Sequence, residues 1–224
     1  MNNEIQQITL PLPMRMGSVN CYLIKNDNGY FLIDTGGENA EDALLEKLNL
    51  AGCSEEMLKL IIITHGDFDH IGNVVPMRNK FGSKVAMHAD DMAMATNGEL
   101  FASRNKPGFL VKILAPLFVS LGKTRRFNPD ILLIDGDDLN SYGLEAKVVS
   151  IPGHSKGSIG IHLASGGFFC GDLLENSKTP GFSTLMDDQI VANKSMMRLQ
   201  HLGINTVYPG HGTPFHFSDF NPQT

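Results

Sequence analysis

Residues Ile61–Gly72 read IIITHGDFDHIG. The apolar, β-branched run Leu60–Ile63 has the composition of a buried strand. It ends abruptly in four groups able to ligate a metal, His65, Asp67, Asp69 and His70. Imidazole and carboxylate donors together suit a divalent transition metal. Their spacing sorts them into two pairs. His65 and Asp67 are two apart, so on extended or turning backbone they face the same side. Asp69 and His70 then point towards a second position, and one segment can serve two neighbouring ions. The competing reading is a polar loop before a helix that starts near Ile71, with Asp69 as its N-cap.

The arrangement recurs. His154 follows the apolar strand Val148–Ile151, with Pro152 and Gly153 ending the strand and turning the chain. Asp172 follows GGFFCG, another short apolar strand, and His211 follows Thr206–Tyr208 in VYPGHG. Four strands thus each end in a turn residue plus a ligand-type residue, and loops at strand ends are where a rigid scaffold presents its working groups.

As an ordered set, FLIDTGG (Phe31–Gly37), THGDFDH (Thr64–His70), PGH (Pro152–His154), GD (Gly171–Asp172) and GH (Gly210–His211) resemble the motifs of the metallo-β-lactamase superfamily. The resemblance runs from about Asn20 to Thr213. It implies an α/β (α+β) protein, a four-layer αβ/βα sandwich with a dinuclear metal site at one edge between two β-sheets. By position it implies that His65, residue 67 and His154 hold one ion, that Asp69, His70 and His211 hold the other, and that Asp172 bridges them. Asp34 would stand behind the ligands and support one of them through a hydrogen bond.

The commonest family pattern is HxHxDH, and here Asp67 replaces the second His. A harder oxygen donor tilts metal preference from zinc towards iron or manganese. Two divalent ions, three carboxylates (Asp67, Asp69, Asp172) and one hydroxide sum to zero charge, where a His at 67 would leave +1. A neutral core is a weaker Lewis acid, and an Fe(III)–M(II) pair would restore the +1. The flavodiiron proteins of the same superfamily carry Glu at the matching position and use iron. The alternative is that Asp67 only caps the next helix or hydrogen-bonds a ligand. The cofactors expected are two divalent ions, zinc or iron, with manganese also fitting.

The chain has 224 residues, 42% of them hydrophobic. That suits a single domain over 1–224 with a substantial core. A net charge of −6 and a single adjacent basic pair, Arg125–Arg126, argue against a nucleic-acid partner. The start, MNNEIQQITLPLPMRMG, has no basic or apolar leader region, and no apolar stretch is long enough to span a bilayer. Three scattered cysteines, Cys21, Cys53 and Cys170, suit buried thiols in a reducing compartment. The expectation is a cytoplasmic protein with a small-molecule substrate. Cys170 reads as core rather than as part of the site.

Strands are expected at Ile5–Leu10, Val19–Ile24, Tyr30–Ile33, Leu60–Ile63 and Lys84–Met87. A hairpin turn is expected at Asn26–Gly29 and a helix at Glu41–Leu50. Asn73–Phe81 reads as a helix interrupted near Pro76, and His88–Thr96 as a helix. Ile131–Ile134, Lys147–Ile151, Ser158–Leu163 and Phe168–Cys170 read as the second sheet. Asp187–Leu202 reads as a helix with Ile190, Val191, Met197 and Leu202 among its apolar positions. His88, His162, His201, His216, Ser155, Ser158 and Lys156 read as structural or solvated. A helical insertion is expected at about 97–130. Within it, Phe109–Leu121 is strongly apolar, and three readings compete: a cap over the site lined by Phe101, Phe109, Leu110 and Phe118, a homodimer interface, or an interfacial membrane helix.

The activity the resemblance implies is hydrolysis. A hydroxide shared by two ions would attack an ester, thioester, lactone or related carbonyl. Asp69 would orient it and carry a proton to the leaving group. The alternative is a di-iron redox protein resembling the flavodiiron catalytic domain. Asp67 favours that alternative, while the lack of a following flavodoxin-like segment would demand a separate electron donor.

Overall fold

The computed structural model describes residues 3–98 and 122–220. Its first sheet has six strands in chain order: β1 (Glu4–Pro11), β2 (Ser18–Asn26), β3 (Gly29–Ile33), β4 (Leu58–Ile62), β5 (Lys84–His88) and β6 (Ile131–Leu133). β1, β2 and β3 form an antiparallel meander, the second turn closing at the Asn26↔Gly29 pair. From β3 to β6 all pairs are parallel, which requires crossovers. Helix α1 (Glu41–Leu50) lies between β3 and β4, and the short α2 (Phe68–Ile71) and α3 (Val74–Phe81) lie between β4 and β5.

The apolar runs of β3 and β4 are continuous because both faces are buried. Leu32, Ile61 and Ile63 pack with Leu44 and Leu48 of α1 and with Val74, Met77 and Phe81 of α3. The alternate residues Phe31, Ile33, Leu60 and Ile62 pack against the second sheet. That sheet has five strands in the order β13 (Phe215–His216), β12 (Thr206–Pro209), β9 (Gly167–Gly171), β8 (Ile159–Leu163) and β7 (Ala146–Ser150). Its outer face packs Val149, Phe168 and Val207 against Ala192, Met196 and Leu199 of α5 (Gln189–Leu199). Helices, sheet, sheet and helix make the four layers. A two-stranded ribbon, β10 (Leu174–Glu175) with β11 (Gly181–Phe182), projects after β9.

Several expectations need correction. α3 is not interrupted at Pro76, because proline occupies the first turn, where its missing N–H has no intrahelical partner to lose. The segment after β5 is a 3-10 turn at Ala89–Asp91 followed by α4 at Met92–Asn97, not one helix. β6 belongs to the first sheet, parallel to β5. The Asp130 carboxylate accepts from the Val85 N–H, and the Asp130 N–H donates to the Val85 carbonyl. In α5 the buried face is Ala192, Ser195, Met196 and Leu199, while Ile190 and Met197 are 70% and 64% exposed. The helix runs from Gln189 to Leu199 rather than from Asp187 to Leu202, because the Asp188 carboxylate caps the N–H groups of Ile190 and Val191 and so sets its start.

Cys170 is buried in the core, as expected. No helix among the described residues is long and apolar enough to cross a membrane. The apolar segment 109–121, and the lining proposed for it at Phe101, Phe109, Leu110 and Phe118, lie outside the described residues.

Candidate metal centre

Parallel strands bring their C-terminal ends to one edge. Asp34 follows β3, His65 follows β4 and the Asp91 turn follows β5, so all three meet there. The second sheet delivers its own chain ends to the same place. The Ile159 N–H at the start of β8 donates to the Thr64 carbonyl, which seats the His154 loop beside His65. Asp172 follows β9 and His211 follows β12, strands that run parallel to each other. Asn20 ties this corner to β2, its side-chain amide donating to the carbonyls of Pro209 and Gly212.

Six of the seven ligand-type residues converge in two groups. His65, His154 and Asp172 form one, and Asp69, His70 and His211 the other. Asp172 faces both: its Oδ2 lies 3.9 Å from His65 Nε2, 3.9 Å from His154 Nε2 and 3.2 Å from His211 Nε2, and its Oδ1 lies 3.3 Å from His70 Nε2. Asp69 Oδ2 is 3.5 Å from His211 Nε2 and 4.0 Å from His70 Nε2. Donors ~2.1 Å from a tetrahedral ion stand roughly 3.4 Å from one another. The N···O separations here, 3.1 to 4.0 Å, bracket that spacing. The buried atoms His65 Nε2, His70 Nε2 and Asp172 Oδ1 make no hydrogen bond among the described residues. Buried polar atoms without partners are rare unless an ion or ligand completes them. The donor set therefore fits metal ions.

Asp67 occupies the N-cap position of α2, and Asp69 lies inside that helix rather than at its cap. The Asp67 side chain makes no capping hydrogen bond. Its Oδ2 turns into the first group instead, 3.1 Å from His154 Nε2 and 3.7 Å from His65 Nε2.

The rings are oriented from behind. His211 Nδ1 is 2.7 Å from the Ser18 carbonyl, so it carries the proton and leaves Nε2 facing inward. Asp34 sits in the left-handed backbone region with φ 58°, a conformation that the short polar side chain of Asp tolerates. It accepts from the Thr64 N–H at 2.8 Å, the Thr64 hydroxyl at 2.7 Å and His70 Nδ1 at 2.9 Å. Because the Thr64 hydroxyl donates to Asp34, its lone pair faces His65 Nδ1, 3.0 Å away. Asp34 thus orients His70 directly and His65 through Thr64. Gly210 completes the packing, since a Cβ there would collide with Asp172 Oδ1 and crowd His70 Cε1.

Imidazoles and carboxylates stabilise each other's charged forms. Burial opposes a charge on His70, but Asp172, Asp34 and Asp69 outweigh it and hold its pKa well above the ordinary value. For His211, burial is likewise outweighed by Asp172, and the pKa rises to about 9. Burial would raise Asp172, yet His70 and His211 hold it well below the usual carboxylate range. Asp69 goes the other way. Burial pushes it up, His70 pulls against that, and Asp172 and Asp67 push it further up. The two buried carboxyls Asp69 and Asp172 are thus shifted in opposite directions by their neighbours.

One residue escaped the sequence reading. Asp91 is fully buried and joins two ligand loops. Its Oδ2 accepts from the Gly66 N–H at 2.9 Å and the Ser155 hydroxyl at 2.6 Å, and its Oδ1 accepts from the Gly157 N–H at 2.9 Å. Position 157 must be glycine for this approach, because a Cβ would stand 2.6 Å from the Asp91 carboxyl carbon. Ser155 and Ser158 belong to this support, their hydroxyls 2.7 Å apart. The signal that was available is Asp91's place after β5, on the edge where Asp34 and His65 also emerge.

A cavity of about 660 Å³ opens over the centre. Asp67, Asp69, Asp172 and His211 form its floor, and Met16, Phe68, Glu175 and Leu185 are among its walls. Lys156 is exposed and does not line it.

The sequence profile of the metallo-β-lactamase superfamily matches residues 14–211. The chain is 29% identical to the "Probable metallo-hydrolase YqjP" of Bacillus subtilis, over 94% of this chain and 72% of that protein. It is 30% identical to "Hydroxyacylglutathione hydrolase GloC" of Haemophilus influenzae, over 73% of this chain and 70% of that one. Its match to the "Beta-lactamase-like protein 2 homolog" of Drosophila melanogaster, at 23% identity, spans only 61% of that relative's length. Among solved structures, BLEG-1 B3 metallo-beta-lactamase superimposes with a TM-score of 0.75 at 23% identity, covering 96% of this chain and 95% of that one. TTHA1623, crystallised in a di-iron-bound form, superimposes with a TM-score of 0.70 at 25% identity, covering 96% and 99%.

Proposed function

The chain belongs to the metallo-β-lactamase superfamily, and from that premise we propose that it is a dinuclear metallo-hydrolase acting on an ester, thioester, lactone or related small-molecule bond. The observation that carries the reading is the position of Asp172, one carboxylate turned to both donor groups at 3.2 to 3.9 Å. In this proposal Asp67, His65 and His154 would hold one ion and Asp69, His70 and His211 the other, with Asp172 turned to both groups. Such ions, when bound, polarise a carbonyl oxygen and acidify water.

The chain's own residues do the rest. Asp34 and Ser18 fix which ring nitrogens face the substrate. Asp69, whose buried carboxyl is raised, orients the attacking water and passes a proton to the leaving group. The acyl–heteroatom bond breaks as water oxygen joins the acyl carbon. The whole of 1–224 acts as one domain in this reading. The Haemophilus relative is by its name a thioester hydrolase, which puts thioesters on the panel to be tried.

The test is turnover of matched ester, thioester and lactone substrates before and after chelation and metal restoration. Activity lost and regained supports the reading, whereas no turnover of any of them with metal restored contradicts it. The second reading, a di-iron redox protein, draws on Asp67, an oxygen donor where the commoner pattern has nitrogen, and on the di-iron form of one structural neighbour. Iron with redox-linked spectra and no hydrolysis would favour it.

A further inference from the structure

The cavity over the centre has an unusual charge pattern. Its charged carboxylates are Asp67, Asp69, Asp172 and Glu175, and no Lys or Arg is among the described residues that line it. The first three belong to the proposed ligand set, where two divalent ions offset them. Glu175 does not, and among the described residues no ion pair neutralises it, the cation on that side being Lys178 of the adjoining cavity. It comes from β10, anchored beside the centre because the next residue, Asn176, donates its N–H to the His211 carbonyl at 3.0 Å. The opposite character comes from Leu12, Met16, Phe68 and Leu185. Met16 and Leu185 are 47% and 71% exposed, large apolar side chains left at the mouth of a polar centre. A flexible thioether is suited to packing against varied apolar groups. Beyond Glu175 the wall continues into a second cavity of about 890 Å³, which Glu175, Ser177, Ser183 and Thr184 also line and where Lys178 is the one Lys or Arg among the described lining residues.

Resting on the hydrolytic reading above, we propose that this site takes uncharged acyl substrates with an apolar group beside the scissile bond. Glu175 is the specificity residue that turns away substrates bearing a carboxylate or phosphate. Like charges facing each other across a partly desolvated cavity select by repulsion. The same charge favours departure of the carboxylate product. In the reaction the acyl–oxygen bond of the ester breaks, water oxygen bonds to the acyl carbon, and one water proton leaves with the alcohol.

The test compares 4-nitrophenyl butyrate with 4-nitrophenyl hemisuccinate on the metal-loaded full chain. The two share a leaving group and nearly a length, and differ by one carboxylate. The expected kcat/KM ratio favours butyrate by about tenfold or more. Glu175→Gln lowers the ratio severalfold, and Glu175→Lys brings it to about one or below. Ligand-observed NMR with the uncleaved amides N-phenylbutyramide and N-phenylsuccinamate gives the same order without relying on turnover. Hydrolysis of both esters at equal efficiency, or a ratio that neither Glu175 variant moves, overturns the charge selection alone. No turnover of either ester and no binding of either amide overturns this inference, whereas the hydrolytic reading falls only if the thioester and lactone substrates also fail.

Discussion

Asp34 and Asp91 are both buried carboxylates that follow parallel strands of one sheet, and they do different work. Asp34 reaches the ligand rings, His70 directly and His65 through the Thr64 hydroxyl. Asp91 reaches backbone and a serine hydroxyl, at Gly66, Gly157 and Ser155, and pins the loops that carry His65 and His154. One sets ring orientation and ligand basicity, while the other holds two loops from different sheets in register. The difference teaches that a site of this kind needs two kinds of support, and that only the first is written beside the ligands.

The comparison can be broken by substitution. Asp91→Ala leaves three donors without their acceptor, two of them backbone N–H groups, each costing about 1–3 kcal/mol when buried. The expected loss is about 3 kcal/mol or more in chemical denaturation, larger than the loss in metal affinity measured on the folded variant. A stable Asp91→Ala protein with weakened metal binding would reverse the roles assigned to the two carboxylates. Asp34→Asn keeps the shape and removes the charge behind His70. Changes of this kind cost roughly 10–100-fold in metal affinity. Chelator competition should show that drop, with a smaller loss of metal-free stability than in Asp91→Ala, because the amide oxygen still accepts from the Thr64 N–H.

The smallest effect lies away from the site. Arg198 holds the Asp135 carboxyl below its ordinary value, mainly through a hydrogen bond of 2.8 Å between exposed groups. A depressed carboxyl contributes stability above its unfolded pKa and loses it as pH falls through the folded value. Arg198→Ala should therefore remove a small acid-side dependence, under about 1 kcal/mol given solvent screening. Thermal melts at pH 7 and pH 3 should converge slightly in the variant, with metal binding untouched.

What the sequence made legible follows from the same distinction. Each ligand-type residue stands at the end of an apolar strand next to a glycine or a turn, so local pattern was enough to single out His65, Asp67, Asp69, His70, His154, Asp172 and His211 as candidates. Asp34, in FLIDTGG, was reached through the family resemblance and not through that local pattern. Asp91 was not, because ADD after a strand reads as a helix start, and nothing local separates the buried Asp91 from its neighbour Asp90, whose side chain is 59% exposed. β6 was recognisable as a strand but not as a member of the first sheet, since an apolar run fixes which face is buried and not which neighbour it pairs with. The face of α5 was misjudged because Ser195 is buried, its hydroxyl donating to the Pro152 carbonyl at 2.7 Å, while Ile190 and Met197 point outward.

We propose that Asp67 is a metal ligand that tilts the choice of ion. Elemental analysis of protein purified without added metal, beside an Asp67→His variant, tests it most directly. About two equivalents of iron or manganese, replaced by zinc in the variant, is the predicted result. Two equivalents of zinc in both proteins would contradict it.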